Sequence, residues 1–278
     1  MCGIVGFYSK RQDKQSVIKT QLNVLHHRGP DDSDFYLNSN IALGHTRLSI
    51  IDIEHARQPM VSQDNRYILI FNGEVYNYLE LRKNLISKGV TFKTNSDTEV
   101  LLNLYAYYGR RCVTKLNGMF AFAIYDTAED SIFLARDHLG IKPLYYTYQD
   151  GEFIFASEVK AILKYPSVKA KVDMQSVNEY LTFQVMLKKH TLFKDIHTLE
   201  PATYIYIKNG KIKKKRKYWD FDYDIDDSKT QEQYSDELLY LLKDSMSIQT
   251  RSDVPVGAYL SGGIDSSLVS ILAKNSYP

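Results

Sequence analysis

The chain opens with MCGIVGFYSK, residues 1–10, in which a cysteine follows the first methionine and a β-prone apolar segment follows the cysteine. If Met1 is removed, Cys2 carries a thiol and a free α-amine on the same residue. An α-amine has a pKa of about 7.7 to 8.0, so near neutral pH it can accept the thiol proton and leave a nucleophilic thiolate. The segment is also typical of a buried strand that Cys2 merely begins. Position 2 alone leaves both interpretations open.

Composition limits the class of protein. Of the 278 residues, 44% are hydrophobic and 24% are charged, with a net charge of +2, which is typical of a globular protein and favours no nucleic-acid partner. Two cysteines are too few for a disulfide framework, so we expect a cytoplasmic protein. No apolar run approaches the roughly 20 residues that span a bilayer, and residues 1–10 lack the pattern of a signal peptide. We therefore expect no membrane segment and an N-terminus that belongs to the working protein.

Short apolar runs and helical patterns alternate up to about residue 160. The segment 96–109, SDTEVLLNLYAYYG, predicts a helix with capping-box spacing between Ser96 and Glu99 and a stop at Gly109. This mixture predicts an α+β layered domain. Runs typical of strands are YILIFNG (67–73), MFAFAIYD (119–126) and SIFLARD (131–137).

Two dipeptides predict hairpin turns, Asp150-Gly151 and Asn209-Gly210. The second turn leads into the basic run 211–217. We interpret this run as a solvated edge strand rather than a groove for single-stranded nucleic acid, because aromatic residues are hardly interleaved with it.

The last part of the chain has the pattern of a second unit. Polar residues 222–233 predict a linker, and 234–246 has the apolar spacing of a packed helix. Residues 254–276 predict a strand, a glycine-rich loop and a helix, an arrangement that favours a bound phosphate. A plain tight turn is the alternative, since the loop matches neither the P-loop nor the dinucleotide pattern.

Nine motifs, in order and spacing, resemble the glutamine-hydrolysing asparagine synthetases over essentially the whole chain. They are MCGIVGF (1–7), HHRGPDD (26–32), GHTRLSIID (44–52), FNGEVYN (71–77), SDTEV (96–100), LNGMFAFAIYD (116–126), RDHLGIKPLYY (136–146), ASEVKAI (156–162) and LSGGIDSS (260–267).

The resemblance implies a fold and a domain order. We expect an N-terminal-nucleophile hydrolase, a four-layer αββα sandwich forming a class II glutamine amidotransferase domain, over residues 1–221. A linker would follow at 222–233. The beginning of an α/β ATP-pyrophosphatase domain with a PP-loop would occupy 234–278.

The resemblance also implies the roles of the glutaminase residues. Cys2 would attack the side-chain amide of L-glutamine, ammonia would leave, and water would release glutamate from a γ-glutamyl thioester. Asn72 and Gly73 would form the oxyanion hole, Arg47 would grip the α-carboxylate with its planar fork, and Asp97 would bind the α-ammonium. The pocket lining would include Arg47, Leu48, Ser49, Ile50, Ile51 and, at the rim, Glu74.

Each of these residues has a plainer interpretation. Arg47 could form only a surface ion pair, and the Asn72-Gly73 pair is usually a turn. Asp97 could be only a carboxylate that the helix dipole favours in the first turn of a helix. The same residue could also bind the substrate's α-ammonium.

For the second domain the resemblance implies ATP, with Mg²⁺, and L-aspartate as substrates. β-Aspartyl-AMP would form and ammonia from an internal tunnel would convert it to asparagine, with no prosthetic group or protein metal site. The histidines lack metal-ligand spacing. The expected ATP-binding residues are Leu260, Ser261, Gly262, Gly263, Asp265, Ser266 and Ser267.

The sequence stops at Pro278, one helix beyond the loop. A parallel α/β sheet needs several βα crossovers, so we expect the synthetase part to be incomplete, with a homodimer or a partner chain as ways to supply the remainder. A related amidotransferase acting on a sugar or peptide carboxylate, and a non-catalytic remnant, are the alternatives. The presence of Cys2, Arg47 and Asp97 disfavours the remnant.

Overall fold

The computed structural model describes residues 1–224 and 226–276, and its contacts separate two units of the chain. The first unit comprises Met1–Ser49 and Glu54–Asp220. The second comprises Ile50–Ile53 and Phe221–Pro278.

In the first unit the apolar runs form strands that pair throughout in antiparallel fashion. The strands are β1 Gly3–Tyr8, β2 Asp32–Leu37, β3 Ile41–Arg47, β4 Met60–Val61, β5 Tyr67–Val75, β6 Gly118–Asp126, β7 Ser131–Arg136, β8 Tyr145–Gln149, β9 Glu152–Ala156, β10 His197–Thr198, β11 Thr203–Lys208 and β12 Lys211–Lys217. Within the described residues they form two six-stranded sheets, β10-β8-β9-β1-β3-β2 and β12-β11-β7-β6-β5-β4.

Helices cover the outer faces of both sheets. The α-helices are α1 Lys14–Asn23, α2 Tyr78–Ile86, α3 Asp97–Tyr108, α4 Val159–Ile162, α5 Met174–Phe183, α6 Gln231–Gln249 and α7 Ile264–Ser276, and 3₁₀ turns occupy His26–Arg28 and Gly109–Lys115. Helices α1 and α4 share a core with the first sheet, and α2 and α3 share one with the second. The first unit is therefore the expected four-layer αββα sandwich.

Among the described residues, the alternation of side chains along the strands gives three hydrophobic cores. In β5, Ile68 and Ile70 point into the core between the sheets, while Leu69 and Phe71 point toward α3. Because successive side chains of a strand face opposite ways, a fully apolar strand is needed wherever both faces are covered. This explains why the central runs of the sequence are almost uninterrupted hydrophobic segments.

The local signals for turns and caps are largely confirmed. Gly109 ends α3 with a φ of 58°, and the hairpin positions Asp150 and Gly151 have φ values of 52° and 79°. Asn209 and Gly210 likewise connect β11 to β12. The capping box is only half formed. The Ser96 hydroxyl accepts the Glu99 N–H at 3.1 Å, but the Glu99 carboxylate accepts the N–H groups of residues 93 and 94 instead.

The basic run 211–217 forms β12, which is the edge of its sheet and is exposed along its whole length. Lysine side chains on an exposed edge hinder pairing with another chain. The interpretation as a solvated edge strand is confirmed.

The second unit is helical among its described residues. Helix α6 begins with a capping box between Thr230 and Gln233. The strand expected before the glycine-rich loop is wrong, since residues 254–260 are neither helix nor strand. A strand needs a hydrogen-bonded neighbour, and the described part of this unit offers none. No described helix in the chain is both long enough and apolar enough to cross a membrane.

Close approach of β5 and β6 predicts an effect of Gly118→Ala on stability. A Cβ at Gly118 would lie 2.2 Å from the Glu74 carbonyl oxygen, so the strands must separate, and we expect a loss of about 2 to 3 kcal/mol in the free energy of unfolding. Gly151→Ala is the matched comparison. Its position is left-handed but open, so the loss should be about 1 kcal/mol. Equal losses in denaturant unfolding would contradict the close-approach explanation.

Candidate functional site

The Cys2 thiol lies at the start of β1, beside the end of β3. Gly3 pairs with Thr46, and the Cys2 Sγ is 3.4 Å from the Leu48 nitrogen, which donates to it, and 3.5 Å from the Leu48 carbonyl oxygen. Burial raises the pKa of Cys2, whereas the Leu48 hydrogen bond, the terminal amine and Arg47 lower it. The thiol therefore requires a nearby base to remove its proton.

An arginine holds the main chain of Cys2 in place. The Arg28 Nε donates to the Cys2 carbonyl oxygen at 2.9 Å, and its Nη1 donates to Glu158 Oε1 at 2.9 Å. Burial opposes ionisation of Glu158, but hydrogen bonds from Arg28, Lys160 and His27 outweigh it and hold the pKa of Glu158 at about 2. Sequence reasoning assigned no role to this pair, because 130 positions separate Arg28 from Glu158.

Asn72 and Gly73 lie within β5, which continues to Val75, so they do not form a turn. The Asn72 side chain is 1% exposed, and its Nδ2 has no hydrogen-bond partner among the described residues. Buried donors are normally paired, so an unpaired one suggests a ligand atom. A Cβ at Gly73 would lie 2.2 Å from the Met119 carbonyl oxygen, which leaves room only for glycine.

Two carboxyl groups, Asp97 and Glu74, lie near β5. Asp97 is the first residue of α3 and is 5% exposed, and its Oδ2 accepts the Val75 N–H at 3.0 Å. Burial, with a smaller contribution from repulsion by Glu74, raises the pKa of Asp97 to about 7 against the lowering effect of its hydrogen bonds. Burial also raises the pKa of Glu74, against the lowering effect of Lys142. A cation placed beside this pair would be strongly favoured.

The segment after β3 supplies the other predicted pocket residues. Arg47 is buried and close enough to Cys2 to lower the pKa of its thiol, and the Ser49 N–H donates to Asp31 Oδ2 at 2.8 Å. Ile50 and Ile51 belong to the second unit, so their role in the pocket stays a prediction.

A buried histidine joins the two sheets at the site. His45 Nε2 lies 3.1 Å from the Phe71 carbonyl oxygen, and since a carbonyl can only accept, Nε2 carries the proton. Burial lowers the pKa of His45 to about 3, so the ring is neutral. His45 precedes Arg47 by two residues and Phe71 directly precedes Asn72. This hydrogen bond therefore ties the β3 part of the site to the β5 part.

The loop after β7 carries a second feature that sequence reasoning missed. The buried Asp137 carboxylate accepts the N–H groups of Phe120, Leu139, Ile141 and Lys142 at 2.9 to 3.2 Å. Phe120 pairs with Gly73, so the loop is bound to the strand pair that carries Asn72. The motif RDHLGIKPLYY marked this loop but gave no role for its residues.

The first unit thus combines a thiol, an unpaired buried amide, an arginine and two carboxyl groups in one region. The charges of Arg47, at the end of β3, and Asp97, at the start of α3, both influence the pKa of the Cys2 thiol.

The glycine-rich loop of the second unit precedes α7. Gly262 has a φ of 85° with open space where a Cβ would lie, and the Ser261 and Ser266 hydroxyls are 2.9 Å apart. Ser266 and Ser267 both donate to the Gly263 carbonyl oxygen. A left-handed glycine just before a helix N-terminus is compatible with anion binding, because backbone N–H groups there can donate to a phosphate. Leu260, Asp265 and the other predicted residues are exposed or half-exposed here.

Two family models match the chain. The glutamine amidotransferase domain matches residues 1–219, and asparagine synthase matches residues 237–278. Among curated relatives, asparagine synthetase [glutamine-hydrolyzing] 1 of Bacillus subtilis is 39% identical over 100% of this chain and 44% of its own length. Asparagine synthetase B [glutamine-hydrolyzing] of Escherichia coli is 36% identical over 99% of this chain and 45% of its own length. The resemblance seen in the motifs is confirmed, and the chain spans less than half the length of these two relatives.

Solved structures show the same fold. Glutamine phosphoribosylpyrophosphate amidotransferase from B. subtilis is 19% identical, covers 99% of this chain and 64% of its own, and has a TM-score of 0.57. An allosteric regulatory enzyme of purine biosynthesis is 21% identical, covers 78% of this chain and 49% of its own, and has a TM-score of 0.56. The expected N-terminal-nucleophile hydrolase fold is confirmed.

The raised pKa of Asp97 predicts that Asp97→Asn stabilises the protein at high pH. Wild-type stability should fall as the pH rises from about 4 to about 7, because the unfolded chain ionises Asp97 before the folded chain does. The amide keeps an oxygen for the Val75 N–H. We expect Tm to rise by about 2 to 4 °C at pH 8, as about 1 kcal/mol would give, with the gain shrinking toward pH 4.

Asp34→Asn, at an exposed carboxylate, is the control and should show no such trend. Melting curves of both variants at four pH values make the comparison. A constant difference across that range would contradict a titrating buried Asp97.

Proposed function

The chain belongs to the glutamine amidotransferase domain family, and from this we propose that it hydrolyses L-glutamine to L-glutamate and ammonia at Cys2 once Met1 is removed. The observation that carries the proposal is the buried Asn72 amide, whose unpaired Nδ2 lies in the same unit as a thiol that interacts with Arg47 and Asp97. A buried donor with no partner within the protein is the kind of group that stabilises an oxyanion.

The reaction would proceed in two steps, acylation of Cys2 and hydrolysis of the resulting thioester. The free α-amine of Cys2 takes the thiol proton, and the sulfur forms a bond to the side-chain carbonyl carbon of glutamine. Asn72 Nδ2 and the Gly73 N–H would hold the oxyanion, and ammonia leaves with the proton from the α-ammonium. Water then attacks the γ-glutamyl thioester, glutamate departs and the thiol is restored.

Selectivity for free glutamine would come from its two charged ends. Arg47 would bind the α-carboxylate through two parallel hydrogen bonds, and Asp97, beside Glu74, would bind the α-ammonium. Both side chains are largely buried, and electrostatic interactions with a ligand are screened much less there than at an exposed surface. A glutamine inside a peptide lacks both charges and should be rejected.

We further propose that a protein with the full length of these relatives, of which this chain spans less than half, would use the ammonia to make asparagine from L-aspartate and ATP with Mg²⁺. Support comes from the names of the relatives and from the asparagine synthase match at residues 237–278, which favours aspartate over a sugar or peptide carboxylate. We propose that residues 1–221 are the glutaminase domain and that 234–278 begin the synthetase domain, with 222–233 between them. The loop 260–267 would hold ATP phosphates, and ATP would supply the activation of the acceptor carboxylate.

Replacement of the nucleophile tests the proposal directly. Cys2→Ala should bind glutamine but release no glutamate above background, because no thioester can form. Cys112→Ala, which removes the other thiol of the chain, should keep activity. The measurement is glutamate release from glutamine, with and without ATP and aspartate. Retained hydrolysis in Cys2→Ala would reject the mechanism.

Removal of the proposed oxyanion donor should affect the chemical step more than binding. In Asn72→Ala we expect kcat to fall by about 10² to 10³ with KM little changed, since the donor acts on charge that develops in the transition state. Steady-state kinetics on the Met1-processed chain make the test. A rise in KM with unchanged kcat would instead place Asn72 in ground-state binding.

A further inference from the structure

A buried lysine lies beside the nucleophile and has no role in the mechanism above. Lys142 is 5% exposed, and the hydrogen bond of its Nζ within the described chain is to the Met1 Sδ, at 3.3 Å. A thioether is a weak acceptor, and removal of Met1 would eliminate even this contact. The processed protein would then hold a buried ammonium next to its new N-terminus.

The position of Lys142 is set by hydrogen bonds to its main chain, which do not involve its ammonium group. The Lys142 N–H donates to Asp137 Oδ2 at 2.9 Å, and its carbonyl oxygen accepts from Arg136 Nε at 2.7 Å. Arg136 also donates to the carbonyl oxygens of Gly140 and Leu199. Neither of these two main-chain hydrogen bonds involves the Lys142 side chain. Loss of the ammonium should therefore leave the loop in place.

Charged groups from several elements face this ammonium and the terminal amine. Burial is the largest influence on Lys142 and lowers its pKa; Arg28 lowers it too, whereas Glu74, Cys2 and Asp137 favour the charged form. The N-terminal amine of the described chain is that of Met1. Burial is the largest influence on it and lowers its pKa; Arg28 and Lys142 lower this pKa as well, whereas Cys2 and Asp31 raise it. Arg47 and Asp97 act on the thiol from the other side.

We propose that Lys142 is a positioning residue whose buried ammonium keeps the Cys2 α-amine neutral and favours the thiolate beside it. This inference rests on the proposed function, because it concerns the same proton transfer from sulfur to amine. A positive charge near an amine disfavours its protonation, and the same charge near sulfur favours the anion. The general base is then available at a lower pH than an ordinary α-amine would allow.

The pH profile of glutamine hydrolysis tests this role. Lys142→Met removes the charge at similar length, Lys142→Arg keeps it, and Lys164→Met removes an exposed lysine elsewhere as the control. In Lys142→Met the acid limb of kcat/KM should move up by about one pH unit, as a unit charge a few ångströms away would cause at a partly screened site. That is a loss of about tenfold below the limb with near wild-type activity at high pH.

The charge-keeping variant should follow the wild type. An unmoved limb in Lys142→Met, or an equal movement in Lys142→Arg, would overturn the proposal. A loss that is uniform across all pH values would also overturn it, since that is the signature of structural damage. If Lys142→Met melts well below the wild type, Lys142→Gln replaces it in the same comparison.

Alkylation of Cys2 by iodoacetamide separates this proposal from the proposed function. The rate follows the thiolate fraction and needs no glutamine, and peptide mapping distinguishes Cys2 from the buried Cys112. A shift of the alkylation profile to higher pH in Lys142→Met supports the role of Lys142 even if the wild type hydrolyses no glutamine. An unshifted profile contradicts it even if hydrolysis is observed.

Discussion

The hydrogen bond from His45 to the Phe71 carbonyl oxygen is the contact on which the site depends. Each sheet carries half of the chemistry: Cys2 and Arg47 belong to the sheet of β1 and β3, whereas Asn72 and Gly73 belong to the sheet of β5 and β6. The apolar core holds the two sheets together but specifies their relative position only weakly, because the hydrophobic effect is non-directional. A neutral, buried imidazole adds direction, since it fixes β3 against β5 next to Arg47 and Asn72.

Charged groups of the site are held by contacts that leave their reactive atoms available. Arg28 binds the carbonyl oxygen of Cys2 rather than its sulfur, and Glu158 holds Arg28. Asp137 and Arg136 bind the main chain of Lys142 rather than its ammonium. Asp97 accepts the Val75 N–H with Oδ2 and a longer hydrogen bond, 3.4 Å, from the Thr98 hydroxyl with Oδ1. Burial raises the pKa values of the Cys2 thiol, Asp97 and Glu74 and lowers that of the terminal amine. Each of these groups shifts toward its neutral form, which suits chemistry that begins with a proton transfer.

The apolar strand runs, the turn dipeptides and the αββα class could be predicted, because these follow from local backbone preference and from the motifs. The residues of the site could be named from the motif resemblance, but the sequence could not show that Asn72-Gly73 lies within a strand rather than at a turn. It also could not show Arg28 beside Glu158, His45 beside Phe71 or Lys142 beside Met1, since each contact joins distant segments. The strand expected at 254–260 failed for a related reason: a strand depends on a partner that local sequence does not reveal.

The chemistry at Cys2 is tested most directly by trapping the acyl group. Hydroxylamine added during incubation with glutamine should intercept the γ-glutamyl thioester and give γ-glutamyl hydroxamate. Two preparations should be compared, one with Met1 removed and one that retains it, each verified by intact mass. We predict hydroxamate from the processed chain and none from the chain that keeps Met1, because only the former has a free amine on Cys2. Equal yields from both would contradict activation of the thiol by its own α-amine.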